Sequence, residues 1–286
     1  MRPAPAACAP APTAYPATMS TAPPSSALPG QTGPLRHLSI VRALMLRELI
    51  TRYGREGLGF LWVIGEPLVF CLGVVLMWNL IRPEYEHGIR LGPMIMTGYM
   101  SLLLLRHQIS FSLSALQANT GLLHHRGIAV LHLYAARNAL EFLGTTAAFM
   151  VVYLLLGFLG EVSPPHDWSL VFGGWLLLAF MGLGLALILS SLAQRYAVME
   201  RIVPLLTYAL IPMSGAFFMA AWVPPAWRDL YLLIPLPHAI EMIRGGVFGP
   251  FVETYHDGLY AFGWGLALNL IGLVLTGGAR DRIEAE

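Results

Sequence analysis

Apolar residues run through this sequence in long unbroken blocks. Six of them reach the roughly 20 residues that a helix needs to cross a bilayer: 58–81, 93–116, 138–160, 168–192, 202–222 and 258–277. The second is interrupted by Arg106 and His107. Ahead of the first block, the segment 35–57 places Leu38, Val41, Met45 and Leu49 at three- and four-residue spacing, the rhythm of one helical face. Arg36, Arg42, Arg47, Arg52 and Arg55 make it basic, and Arg42 intrudes on its apolar side. The pattern predicts an amphipathic helix in the cytoplasmic membrane interface; a cytosolic helix docked on protein is the other reading. Between the last two blocks, residues 223–257 are strongly apolar but broken by proline into runs too short to cross. Re-entrant helices that dip back from the outer face fit that pattern. Residues 1–34 carry prolines at 3, 5, 10, 12, 16, 23, 24, 29 and 34, which forbid a helix and break up any signal-peptide core. A disordered tail is expected there. The fold class that follows is an all-α polytopic membrane protein, with a transmembrane domain over 58–278 and a short C-terminus at 279–286.

Composition agrees. Of 286 residues, 56% are apolar and 12% charged, with a mean hydropathy of +0.64. A soluble domain carries about twice that charged fraction, so a disordered chain, a nucleic-acid binder and an ordinary soluble enzyme are excluded. The net charge of +1 implies no bulk electrostatic partner. All 17 basic residues are arginine, which removes every function that needs a lysine, including the Walker A phosphate loop. The arginines also set the orientation. With the N-terminus inside, Arg2, Arg36, Arg42, Arg47, Arg52, Arg55, Arg126, Arg137, Arg195, Arg201, Arg280 and Arg282 are cytoplasmic, against Arg82, Arg90, Arg228 and Arg244 outside. That asymmetry predicts both termini in the cytoplasm. Cys8 and Cys71 make no disulfide framework.

Candidate chemistry is sparse. The middles of the last three blocks hold no acidic residue, which argues against an ion-coupled carrier. Glu66 lies about two turns into the first block; Arg137 and Glu141 stand four apart near the start of the third and are placed to pair on one helix face. With no P-loop lysine, a pump built on this chain needs a separate subunit to hydrolyse ATP. No catalytic motif appears, and His124, His125 and His132 form only a loose cluster without metal-ligand spacing, so no metal and no catalytic residue is assigned. Arg106 is the sharpest single residue, because an arginine inside a span costs at least about 2.5 kcal/mol unless water or a partner receives it. It either snorkels or pairs with a carboxylate, or it faces an aqueous path and meets an anionic substrate. Tyr53, Phe60 and Trp62 cluster at the inner mouth of the first block, either as belt anchors or as stacking faces for sugar rings.

The stretch LMLRELITRYGREGLGFLWVIGEPL, residues 44–68, resembles the entry signature of ABC-2 type permeases, and Leu58-Gly59-Phe60-Leu61-Trp62 followed by Glu66-Pro67 resembles the capsular-polysaccharide export branch. The likeness continues through Gln117–Leu123, Met199–Pro204, Ser214-Gly215 and Pro235–Arg244, about residues 38–280 in all. Two departures stand out: Ile234 replaces an asparagine usual before the Pro-Leu of the outer segment, and residues 122–133 lack the usual proline.

The resemblance implies an ABC-2 (type V) exporter fold and a homodimeric inner-membrane permease, joined to two copies of an ABC ATPase that binds the ATP and Mg; this chain itself needs no cofactor. The cargo it implies is a lipid-linked acidic capsular polysaccharide passing between two permease copies, with a periplasmic co-polymerase and an outer-membrane channel as further partners. Arg52, Tyr53, Arg55, Phe60, Trp62, Glu66 and Arg106 are then candidates for the substrate path. Asn119, Gly121, His124, His125 and Arg126, within 119–132, are candidates for ATPase docking, and Pro235, Pro237, His238, Glu241 and Arg244 for an outer gate. The same fold moving O-antigen, teichoic acid or a small drug is the alternative; a stand-alone channel or an intramembrane transferase is a more distant one.

Overall fold

The computed structural model describes residues 33–53, 59–81, 85–86, 88–119 and 128–283. The tail at 1–32 and most of the loop following the second apolar block lie outside them. The described residues are mostly helical: α1 (Pro34–Tyr53), α2 (Gly59–Ile81), α3 (Leu91–Leu113), α4 (Val130–Phe158), α5 (Trp168–Arg195), α6 (Val198–Ser214), α7 (Pro225–Tyr231), α8 (Pro235–Phe248) and α9 (Gly258–Ile283). A two-residue hairpin precedes α3, pairing Tyr85 with Arg90 and Glu86 with Ile89. Among the described residues four helices are long and apolar enough to cross a membrane: Leu61–Ile81, Val130–Phe158, Trp168–Arg195 and Gly258–Gly277. The Arg106-His107-Gln108 run dilutes α3, and α6 has only 17 residues.

The centre of the molecule is α5. Its first turn is closed by Asp167, whose carboxylate accepts the N–H groups of Ser169 at 2.8 Å and Leu170 at 3.3 Å. Glycines along α5 let other helices come close. A Cβ on Gly174 would lie 2.7 Å from the Ala239 carbonyl of α8, and one on Gly184 would lie 2.7 Å from Leu268 Cβ of α9. Small residues at such contacts are how helices pack tightly where lipid supplies no hydrophobic drive. α3 lies against α5 and is nearly engulfed, with Leu91, Met94, Ile95, Met96, Met100 and Leu104 buried in the main core.

Two helix boundaries differ from the apolar pattern. The third block predicts a span from 138, but α4 starts at Val130. Its first turns hold His132 and Arg137, ahead of the predicted span, and Asn138 at the start of it, all buried against α1 and α3. The fifth block predicts a span to 222, but α6 stops at Ser214. Gly215 takes φ 71°, the left-handed conformation that ends a helix, and the chain turns back over α3.

Candidate functional site

At one end of the molecule α1 lies across the start of α4, and the charges on the two helices match. Glu48 and Arg52 stand one turn apart on α1, as do Arg137 and Glu141 on α4. Arg137 reaches Glu48 at 3.0 Å and Arg52 reaches Glu141 at 2.6 Å. The expected pairing of Arg137 with Glu141 along one helix is therefore replaced by two bonds between helices, because α1 presents the opposite charge at each level. Arg52 also bonds Glu48 at 2.8 Å and lies over the Phe111 ring at 4.2 Å, while Arg137 donates to the Phe111 carbonyl at 2.7 Å. His107 of α3 sits 3.6 Å from Glu141. Further bonds fix α1 at both ends: His37 to His132 at 2.8 Å and Arg47 to Asn119 at 2.8 Å. Asn119 in turn donates to the Ala115 carbonyl. In this quartet Arg137 and Glu141 are buried and Glu48 and Arg52 half-buried, and desolvation offsets much of what such ion pairs contribute to stability.

In the middle, α3 has one accessible stripe that does not face this cluster: Tyr99, Arg106, Ser110 and Leu113, at spacings of seven, four and three. Elsewhere the exposed faces of the long helices are apolar, as with Val69, Phe70 and Leu76 on α2 and Leu154 on α4. This stripe carries a phenol, a guanidinium and a hydroxyl. The Arg106 guanidinium lies 4.9 Å from the centre of the Tyr208 ring of α6, and Tyr208 is 57% exposed. Among the described residues Arg106 has no carboxylate within ion-pair distance. Farther out, Tyr99 approaches Phe217 at 6.3 Å, and Phe217 stacks on Trp78 of α2 at 5.5 Å. Such an arrangement holds a cation beside aromatic faces with no anion among the described residues to neutralise it.

At the opposite end, α8 is a hub. Pro235 opens it and Pro237 follows within its first turn. Arg244 is fully buried and donates to the carbonyls of Gly215 at 2.9 Å, Ala216 at 2.8 Å and Phe218 at 2.7 Å. It thereby satisfies the chain where α6 ends. Glu241 pairs with Arg244 at 3.5 Å and accepts the N–H groups of Ala220 and Tyr255. His238 accepts the N–H of Asp257 at Nδ1 and so donates from Nε2 to the Leu232 carbonyl at 2.8 Å. Arg228 gathers the carbonyls of Ala220, Ala221 and Val223 and the Tyr255 hydroxyl.

The sequence-predicted residues fall among these three places. Arg52 belongs to the inner quartet, where both of its carboxylate partners lie in the same chain. Trp62 is exposed and Glu66 half-buried, one turn apart on α2. Arg106 lies on the stripe. Tyr53 ends α1 and Phe60 lies in the first turn of α2, with side chains outside the described residues. Arg55, Gly121, His124, His125 and Arg126 lie outside them altogether, and Asn119 is buried at their edge. Pro235, Pro237, His238, Glu241 and Arg244 come together in the outer hub. Sequence reasoning did not single out Tyr208, Glu48 or Arg228. A tyrosine midway between Pro204 and Pro212 in an apolar block was a visible signal for the first; the other two depend on partners distant in sequence.

Comparison with known proteins places this geometry in context. Residues 40–248 match the ABC-2 type transporter family. The capsule polysaccharide export inner-membrane protein CtrC of Neisseria meningitidis serogroup B is 35% identical over 247 residues, covering 86% of this chain and 93% of CtrC. The capsule polysaccharide export inner-membrane protein BexB of Haemophilus influenzae is 34% identical over 247 residues, again 86% and 93%. The polysialic acid transport protein KpsM of Escherichia coli is 27% identical over 245 residues, 86% of this chain and 94% of KpsM.

Proposed function

From the premise that this chain belongs to the ABC-2 type transporter family, we propose that it is the inner-membrane permease subunit of an ATP-driven exporter of capsular polysaccharide. It is a transport subunit rather than an enzyme, and a separate ABC ATPase binds and hydrolyses the ATP. Two copies form the conduit, each with six crossings: α2 to α6 and α9, with α3 and α6 as the two less apolar ones. Both termini lie in the cytoplasm, and α7 and α8 re-enter from the outer face to narrow the exit. The ATPase docks on α1 and on the segment 119–132, whose edge is marked by the Arg47–Asn119 bond. A lipid-linked acidic polymer, a periplasmic co-polymerase and an outer-membrane channel complete the assembly.

The observation that carries the reading is the polar stripe Tyr99–Arg106–Ser110 on an otherwise engulfed helix. A stripe facing lipid would be apolar, as it is on α2 and α4. A stripe facing a watered path between two copies is polar, and an arginine with no carboxylate partner among the described residues suits a polymer that carries carboxylates. The test is export of capsule by cells carrying Arg106→Ala. Polymer accumulates inside while the permease still assembles with its ATPase; normal surface capsule would overturn the reading.

A further inference from the structure

On the outer half of α9, two apolar troughs flank one exposed leucine. The first, about 750 Å³, lies between α5 and α9 with Gly173, Leu176, Phe180 and Phe262 on its walls and Met242 of α8 beneath. The second, about 380 Å³, is lined by Tyr260, Gly263, Trp264 and Ala267. Leu259 belongs to both and is 85% exposed. Both exist because glycine stands where a lipid-facing helix would carry a side chain. A Cβ on Gly173 would meet only Met242 Cε at 3.6 Å, and one on Gly263 would meet nothing within 4 Å.

We propose that the two troughs hold the two acyl chains of one membrane phospholipid, and that its headgroup is an amine-bearing, zwitterionic one. Location argues for lipid. α5 and α9 are each long and apolar enough to span, and the troughs begin where α9 begins. Toward the membrane middle the second descends about 12 Å along α9, from Leu259 to Ala267, and the first about 10 Å along α5, from Gly173 to Phe180, at a helix rise of roughly 1.5 Å per residue. Shape argues for two chains on one headgroup, because the troughs share a single lining residue, Leu259. His256 and Asp257, both exposed, form the polar rim of the first, and Leu259 follows Asp257 by two residues. Charge argues for the amine. No arginine lines either trough. The Asp257 carboxylate, which caps α9 through the N–H groups of Leu259 and Tyr260, faces an anionic headgroup with like charge and an ammonium with its complement. His256 beside it supplies a donor for the phosphate. The bound lipid links α9 to Met242 of α8, and through it to the outer hub.

The test is native mass spectrometry of the permease extracted in mild detergent and exchanged into nanodiscs of phosphatidylethanolamine and phosphatidylglycerol. Wild type retains one phosphatidylethanolamine per chain. Gly173→Phe combined with Gly263→Phe fills both troughs where there is room, and lowers retention tenfold or more. Gly277→Phe, at the other end of α9 where a Cβ also meets nothing within 4 Å, leaves retention unchanged. Asp257→Asn still caps the helix, and it reduces the preference for the amine headgroup to less than twofold. Equal retention in the trough-filled variant overturns the proposal, as does a preference of the wild type for phosphatidylglycerol. Photo-cross-linking from position 259 to a polypeptide rather than to lipid overturns it too.

Discussion

Arg244 donates to the carbonyl of Gly215 at 2.9 Å, and through this bond one helix closes the end of another. Both residues are buried, and Arg244 takes two further carbonyls of the same turn while Glu241 balances its charge. Arg244→Met leaves Glu241 as an uncompensated buried charge and takes a donor away from three carbonyls. The expected loss is about 3–5 kcal/mol, the range for breaking one side of a buried ion pair. Glu241→Gln keeps the acceptor for the Ala220 and Tyr255 N–H groups and costs less. Thermal melting in detergent separates the two, with Arg244→Met below Glu241→Gln.

Gly98 of α3 lies beneath the same turn. A Cβ there would sit 2.6 Å from both the Ala216 carbonyl carbon and Arg244 Nη2. Gly98→Ala therefore forces the turn off α3 and destabilises by about 1–3 kcal/mol, the usual cost of overpacking. Gly73→Ala on α2, where a Cβ meets nothing within 4 Å, is neutral or stabilising by up to about 1 kcal/mol from helix propensity. Paired melting curves of the two variants check the contrast.

The inner quartet predicts a coupling. Glu48→Gln and Arg137→Gln each disturb the same bond at 3.0 Å. The two changes together cost less than their sum, by about 0.5–3 kcal/mol. A double-mutant cycle on melting temperature measures this, and additivity would show the pair to be idle. If α1 transmits ATPase motion to α4, capsule export falls in both single variants and recovers in part when the charges are exchanged as Glu48→Arg with Arg137→Glu.

Asp167 gives a pH signature. Hydrogen bonds from the Ser169 hydroxyl, then from the Ser169 and Leu170 N–H groups, hold its carboxyl below the ordinary 3.8. A carboxyl lowered by folding adds stability above its unfolded value, and that stability is lost as pH falls through the folded value. Melting temperature followed from pH 6 downward falls less steeply below pH 4 in Asp167→Asn than in wild type.

The sequence spoke most clearly where a helix faces lipid or core along its whole length. The blocks at 58–81, 168–192 and 258–277 correspond to α2, α5 and α9 because nothing but apolar packing decides them. It spoke least where polar residues are buried against a distant helix. His132 falls ahead of the predicted span, and Arg137 is matched with Glu141 on its own helix, because His37 and Glu48, which hold them, lie some 90 residues away. The end of α6 was legible in principle, since Ser214-Gly215 is a helix stop. The apolar run beyond it concealed that stop, and Arg244, which makes the turn stable, comes 29 residues later. Arg106 stood out at once as a charge in a span, but its companion Tyr208 needed the packing of α6 on α3.

The central claim is that the stripe on α3 faces water in the assembled permease. In a background lacking Cys8 and Cys71, Ser110→Cys and Leu154→Cys are exposed to a membrane-impermeant maleimide in sealed inner-membrane vesicles and in spheroplasts. Both positions are exposed in a single chain, one on the polar stripe and one on the apolar face of α4. The account predicts that position 110 is labelled from at least one side while position 154 stays unlabelled from either. Position 110 as inert as position 154 would mean that the stripe faces lipid or protein, and would contradict the account.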